Sequence, residues 1–252
     1  MTGKPAAAHW ICPPPAVPTA PERASAAALF DDIAGWNHAP FQPARFAGLE
    51  LEVALTLLAD GPIASPPDND FWPDKCRSLL MRPAIEPIAY AAWNRLAAFD
   101  LDDAYALRLA SILAGYKLVI RDKKTIGESR AGNVEFEPVD RAMTWLADLA
   151  AAAARPELAP VLPAYAFARV IMAHPFSDAN GRFARLMVHA ALARTAGLAR
   201  PSLALAPAFY RHAGRLAAAL HNVSEHADWS HFHDAFFAVL RDALGTVRTY
   251  LR

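Results

Sequence analysis

The sequence predicts a mainly α-helical bundle that carries one small β-hairpin. Three observations lead there. Apolar residues recur at helical spacing through most of the chain, while one short stretch alternates with a period of two. The 252 residues are 54% hydrophobic and 20% charged, enough apolar material for a real core. No segment repeats at a fixed period, so a solenoid is excluded.

In chain order, residues 1–25 are rich in Pro and Ala and are expected to form a flexible arm. Residues 26–98 read as a helical N-terminal extension. Helices are predicted over 25–36 and 49–60, and the Pro, Ser, Asp and Gly of 61–73 mark a loop. Two apolar-rich helices follow over 84–99 and 102–121. The second opens on Asp102 and Asp103, whose negative charge suits the positive end of a helix dipole. The pattern changes at 122–138. Gly127, Gly132 and Asn133 are turn formers, and Val134 and Phe136 alternate with Glu135 and Glu137, which predicts the hairpin. Helical periodicity resumes over 139–154, 157–172, 180–196, 203–222 and 228–244.

Charge and cysteine content narrow the partners. Lys plus Arg is 25 and Asp plus Glu is 25, so nothing predicts bulk affinity for nucleic acid or a membrane surface. The apolar run 104–120 is broken by Arg108 and Lys117 and reads as a buried helix rather than a membrane span. Two cysteines, Cys12 and Cys76, make neither a disulfide framework nor a cysteine-rich metal site. The N-terminus lacks the continuous apolar core of a secretory signal. The expected compartment is the cytoplasm, with delivery as an effector left open.

One stretch does not fit a structural role alone. Residues 174–182 read HPFSDANGR between two apolar helices. Turn chemistry explains Pro175, Ser177 and Gly181, but not His174, Asn180 and Arg182. In the helix from 180, Phe183, Leu186, Met187 and Ala190 form a core-facing stripe, whereas Arg182, Arg185 and His189 stack on another face. Two guanidinium groups and the free amides of a helix start would then converge, which is a site for a polyanion such as a nucleotide phosphate chain. Asp178 is placed to hold Mg²⁺ beside it, and His174 to act as a general base near neutral pH. The chemistry expected is metal-assisted phosphoryl or nucleotidyl transfer to a hydroxyl. His189 is expected to be a plain surface histidine. The cluster of His221, His226, His231 and His233 lacks an i, i+4 pair and is not expected to bind metal.

The run HPFSDANGRFAR (174–185) resembles the signature of the Fic-domain family, His-x-Phe-x-Asp/Glu-Ala/Gly-Asn-Gly/Lys-Arg-x-x-Arg. Every specified position is met, by His174, Phe176, Asp178, Ala179, Asn180, Gly181, Arg182 and Arg185. The hairpin falls where the family has its flap. Downstream, Tyr210, Asp228, Trp229 and Phe236 echo the family's closing helices. The resemblance implies a Fic-type helical bundle over 99–252, and transfer of AMP from ATP to a Ser, Thr or Tyr hydroxyl of a target protein. By that likeness His174 takes the acceptor proton and Asp178 holds Mg²⁺. Asn180 and Gly181 offer amides to phosphate oxygens, and Arg182 and Arg185 bind the outgoing phosphates. Phe176 would pack to fix the loop, and the flap around Gly132, Asn133 and Val134 would dock a target segment as an added strand.

Two further expectations concern bond choice and control. The Doc-like branch, whose motif resembles DANKR, transfers the γ-phosphate; here position 181 is Gly rather than Lys, and Arg185 is present, so AMP transfer is favoured. UMP or phosphocholine as the transferred group would preserve the same signature. A toxin-like module that mainly binds a partner is the alternative from another class. Many Fic proteins are held off by a glutamate within Ser/Thr-x-x-x-Glu. None of the glutamates here has Ser or Thr four residues before it, so inhibition would require a separate antitoxin-like chain or an unfamiliar element to supply the glutamate.

Overall fold

The computed structural model describes residues 8–36, 95–114, 116–123, 125–129, 132–198, 203 and 205–250. The helix expected over 49–60, most of that over 84–99, the loop at 61–73 and Cys76 lie outside the described residues. Strand β1 (Ala8–His9) opens the described chain. The stretch expected to be a flexible arm is packed down from here onward. Trp10 and Cys12 are buried, the Trp10 amide donates to the Glu135 carbonyl at 2.8 Å, and the Cys12 amide donates to the Glu137 carboxylate at 2.7 Å. Prolines bar a helix there but not an extended segment, and Trp10 supplies the apolar area that holds it.

Helix α1 (Ala20–Trp36) starts five residues earlier than periodicity alone predicts. The amide and hydroxyl of Thr19 each donate to Glu22 Oε2 at 2.7 Å, and the Glu22 amide donates back to that hydroxyl at 3.4 Å. This reciprocal cap satisfies donors that every helix start leaves orphaned. The buried stripe Ala26, Leu29, Phe30 and Ile33 then docks the helix, each large side chain contributing about 1.5–3 kcal/mol.

Helix α2 (Asp103–Ala114) is capped by Asp102, whose Oδ1 accepts the Tyr105 amide at 2.7 Å. Residues 116–121, predicted as the end of this helix, lie outside it, and 119–121 run extended. The Arg121 amide donates to the Pro175 carbonyl and the Ser177 amide to the Val119 carbonyl, at 2.9 and 3.0 Å, with Ile120 bridged antiparallel to Phe176. Gly115 in the sequence is a helix-stop residue, and β-branched Val119 and Ile120 favour the extended form once a partner backbone is available.

Strands β2 (Ile126–Ser129) and β3 (Gly132–Glu135) form the predicted hairpin, and β1 adds to it in the order β1-β3-β2. The β1 pairing is parallel, Ala8 opposite Val134 and His9 opposite Glu135; the hairpin is antiparallel, with Gly127 opposite Val134. Helices α3 (Val139–Ala142) and α4 (Trp145–Ala153) and a 3-10 turn (Pro156–Val161) lead into the centre of the molecule.

That centre is the pair α5 (Leu162–Ala173) and α6 (Asn180–Ala196). Both are buried on nearly every face, as a bundle's central helices must be. The two-faced α6 expected from the sequence is therefore corrected: Arg182, Arg185 and His189 are as enclosed as Phe183, Met187 and Ala190. Gly197 ends α6 in the left-handed region (φ 65), with the Leu198 amide closing onto the Leu192 carbonyl. Helices α7 (Leu205–Arg211), α8 (Ala213–His226) and α9 (Ser230–Tyr250) pack around the pair, where Phe209, Phe232, Phe236 and Phe237 are buried. Among the described residues no helix is long and apolar enough to cross a membrane.

Candidate active site

The site is built on the turn from α5 to α6. Two non-glycine residues in left-handed conformation bracket it: His174 (φ 47) ends α5 and Ala179 (φ 62) precedes α6. Such backbone costs about 1–2 kcal/mol per residue and persists only where neighbours impose it. Asn180 is one of those neighbours. Its side-chain oxygen accepts the Phe176 amide at 3.0 Å and its Nδ2 donates to the Phe176 carbonyl at 2.9 Å, closing the loop into a ring. Phe176, 1% exposed, anchors the loop from below, edge-on to Trp145 and Phe183 at 5.9 and 5.1 Å between centroids. The extended segment 119–121 holds the third side.

His174 is therefore presented at a fixed place. Its ring stacks on Phe136 with centroids 3.8 Å apart and planes 16° apart. Burial, and then the nearby Arg121 guanidinium, push its pKa down from 6.5 to about 4, against smaller opposing effects of the Ile171 carbonyl and Asp178. The imidazole is neutral at pH 7 and able to accept a proton.

Asp178 faces solvent, with its side chain 49% exposed. Its Oδ2 accepts the Tyr116 hydroxyl and lies 3.7 Å from Arg182 Nη2, and its Oδ1 accepts the Ala179 amide at 2.5 Å. Partial burial works against ionisation, but the Tyr116 hydroxyl, the Ala179 amide and Arg182 outweigh it and hold the carboxyl below its ordinary range. Arg182, 6% exposed, also donates from Nη1 to the Leu113 carbonyl at 2.6 Å, tying α6 to the end of α2. Arg185, 8% exposed, lies one turn deeper, near enough to His189 for its charge to be felt there.

The structure thus gathers His174, Asp178 and Arg182 around one loop, with the α6 amides at Asn180 and Gly181 beside them and Arg185 behind. No side chain of Ala179 caps those amides. The Asn180 side chain is committed to the loop, so only its backbone amide can face a ligand. Of the flap residues, Val134 is 2% exposed and lies between Ala8 and Gly127, so β2 is the outer edge of the sheet on the hairpin's side. His189 is not a surface residue. It is 1% exposed, its Nε2 is 3.3 Å from the Leu203 carbonyl, and burial lowers its pKa to about 4.

Three residues escaped the sequence reading: Tyr116 on Asp178, Arg121 behind His174 and Phe136 against its ring. The first two lie in a stretch taken as helix. Phe136 was seen as a hairpin residue, but one sequence carries no sign that its ring would lie on His174. The four histidines of the C-terminal cluster all meet acids: His221 and His226 share Glu225, His231 meets Asp228, and buried His233 meets Glu22 at 2.7 Å. Among the described residues no three metal-ligating side chains converge.

Residues 100–192 match the model of the Fic/DOC family, a range that contains the whole site turn. That stretch is similar to the Fic/DOC family, and the match covers 93 of the 252 residues. The fold agrees with that of a Fic family protein from Desulfovibrio desulfuricans G20, with a TM-score of 0.63 over 94% of this chain and 77% of that one. At 18% identity the likeness speaks to the fold. No curated protein matches the chain. The family match supports a Fic-fold transferase at the level of the family. The elements before residue 100 and after 192, outside the family match, supply β1 on the flap and α7–α9 around the central pair.

Proposed function

We propose that the protein is an adenylyltransferase that moves AMP from ATP to a Ser, Thr or Tyr hydroxyl of a target protein. The observation that carries this reading is a neutral, rigidly held histidine on the same loop as an ionised carboxylate and the amide-rich, arginine-bearing start of a helix. His174 accepts the proton of the target hydroxyl, whose oxygen bonds to the α-phosphorus as the bond to pyrophosphate breaks. A polyphosphate brought alongside raises the basicity of His174 from its low resting value. The amides of Asn180 and Gly181 meet phosphate oxygens at the positive end of α6, and Arg182 and Arg185 take the charge that develops on the departing pyrophosphate.

Asp178 fits Mg²⁺, an ion commonly held by one or two carboxylates while substrate phosphates and water complete its shell. Its exposed, ionised side chain supplies one such ligand. Bound there, the ion would neutralise charge between phosphates. The flap would receive the target segment as a strand added along β2, since the other edge of β3 already holds β1.

The test is a pair of labels. Wild type and His174→Ala are incubated with Mg²⁺ and either α- or γ-labelled ATP, alone and with cell extract. Protein labelled from the α position only, and not by the variant, is the expected result. Label from γ alone would mean phosphotransfer, and silence from both would turn attention to UMP or phosphocholine donors, or to a partner-binding role. An antitoxin-like chain would show as loss of label when it is added.

A further inference from the structure

Arg121 lies far outside the motif in sequence, 53 positions before His174 (174 − 121), yet it is 5% exposed at the centre of the site. Its Nη2 donates to two carbonyls at once: that of Ala173, the residue before His174, at 2.8 Å, and that of Glu137, at the foot of the flap, at 2.6 Å. Its backbone amide donates to the Pro175 carbonyl, the residue after His174, at 2.9 Å. The histidine is thus gripped on both sides by one residue. The same cation holds the strand that leads from Phe136, whose ring lies on the imidazole.

We propose that Arg121 is a positioning residue that sets the place of His174 with its cation beside the imidazole, coupling the flap to the catalytic loop. This rests on His174 being the base. Left-handed backbone at His174 offers no intrinsic preference for that geometry, so an external clamp is required. The bonds to the Ala173 and Glu137 carbonyls both leave one nitrogen, Nη2, within the guanidinium plane, and Nη1 adds a longer one to the Lys123 carbonyl at 3.4 Å, a fixed planar arrangement that a freely rotating ammonium does not hold. The groups whose charge reaches His174 are Arg121 from the extended segment and Asp178 from its own loop; the face toward the flap is the uncharged Phe136. Asp178 favours the imidazolium, so loss of Arg121 leaves an unopposed carboxylate.

The experiment compares wild type, Arg121→Met and Arg121→Lys. The His174 ring is titrated by NMR in nucleotide-free protein, and kcat and KM for ATP are measured across pH. Arg121→Met is expected to raise the His174 midpoint by about one unit and lower kcat about tenfold or more, with KM for ATP within about twofold. Arg121→Lys is expected to keep the midpoint near wild type and recover part of kcat, since it keeps the charge but not the planar arrangement. If Arg121→Met unfolds, the Lys variant decides: full wild-type kcat, or a raised midpoint, would overturn the assignment. An unchanged midpoint in folded Arg121→Met would overturn it too. The titration needs no transferase activity, so failure of the adenylyltransferase reading would appear separately, as a wild type without label transfer.

Discussion

The Asn180 side chain shows how a single group holds the site loop together while the residue's backbone amide is left for a ligand. Both polar ends of its side-chain amide are used on the Phe176 backbone inside a loop with two left-handed residues. Asn180→Ala would bury an amide and a carbonyl without partners, at a cost of about 2–4 kcal/mol, and release His174 from its position. Thermal unfolding and label transfer should both fall, and ATP binding less so. The buried histidines give a second prediction. His174 and His189 have folded pKa values near 4, below the unfolded value of 6.5. The unfolded chain therefore binds more protons between those values. Their contribution is complete above pH 6.5 and is lost as pH falls toward 4, on the order of 3 kcal/mol for each. Denaturant midpoints measured from pH 7.5 to 4.5 should decline through that window, and His189→Gln should flatten the slope. An unchanged slope in that variant would show that His189 does not titrate as its burial requires.

Among the elements, α6 was legible to the residue: the run 180–196 read from periodicity is the helix observed. Its signature residues lie on the site turn, because turn chemistry and helix starts are local properties. The hairpin was legible for the same reason. What could not be read was pairing across distance. Nothing local tells that residues 116–121 would leave a helix to lie along residues 175–177, or that Ala8 would sit beside Val134. All-round burial of α6 was hidden too, since its arginines and histidine imitate a solvent face until their partners, such as the Leu113 and Leu203 carbonyls, are known. The N-terminal segment makes this testable. Trp10 lies edge-on to Phe136 at 6.1 Å, and Phe136 lies on His174. Trp10→Ala should cost about 3 kcal/mol and quicken amide exchange in β3. Protection in β3 identical to wild type would mean that β1 does not brace the flap.

For the molecule as a whole, a buried charge network joins the N-terminal segment to the bundle beneath the site. Glu137 and Arg169 are both fully buried and 2.6 Å apart, Arg169 reaches Asp148 at 2.9 Å, and Glu137 also takes the Cys12 amide. Removing one partner leaves a charge stranded, so Arg169→Met should destabilise the protein by about 3–5 kcal/mol, whereas changing Glu137 to Gln at the same time should restore part of the loss. Under the proposed function the loop and the arginines divide the work on that frame: His174 would move the proton, and Arg182 and Arg185 would hold the phosphates. The most direct test of this division is ATP affinity by calorimetry, measured beside α-label incorporation, in His174→Ala and Arg182→Ala. The account predicts wild-type affinity without transfer for the first, and affinity weakened about tenfold or more for the second. If His174→Ala lost affinity as Arg182→Ala did, or kept its transfer, the histidine would not be the base of this site.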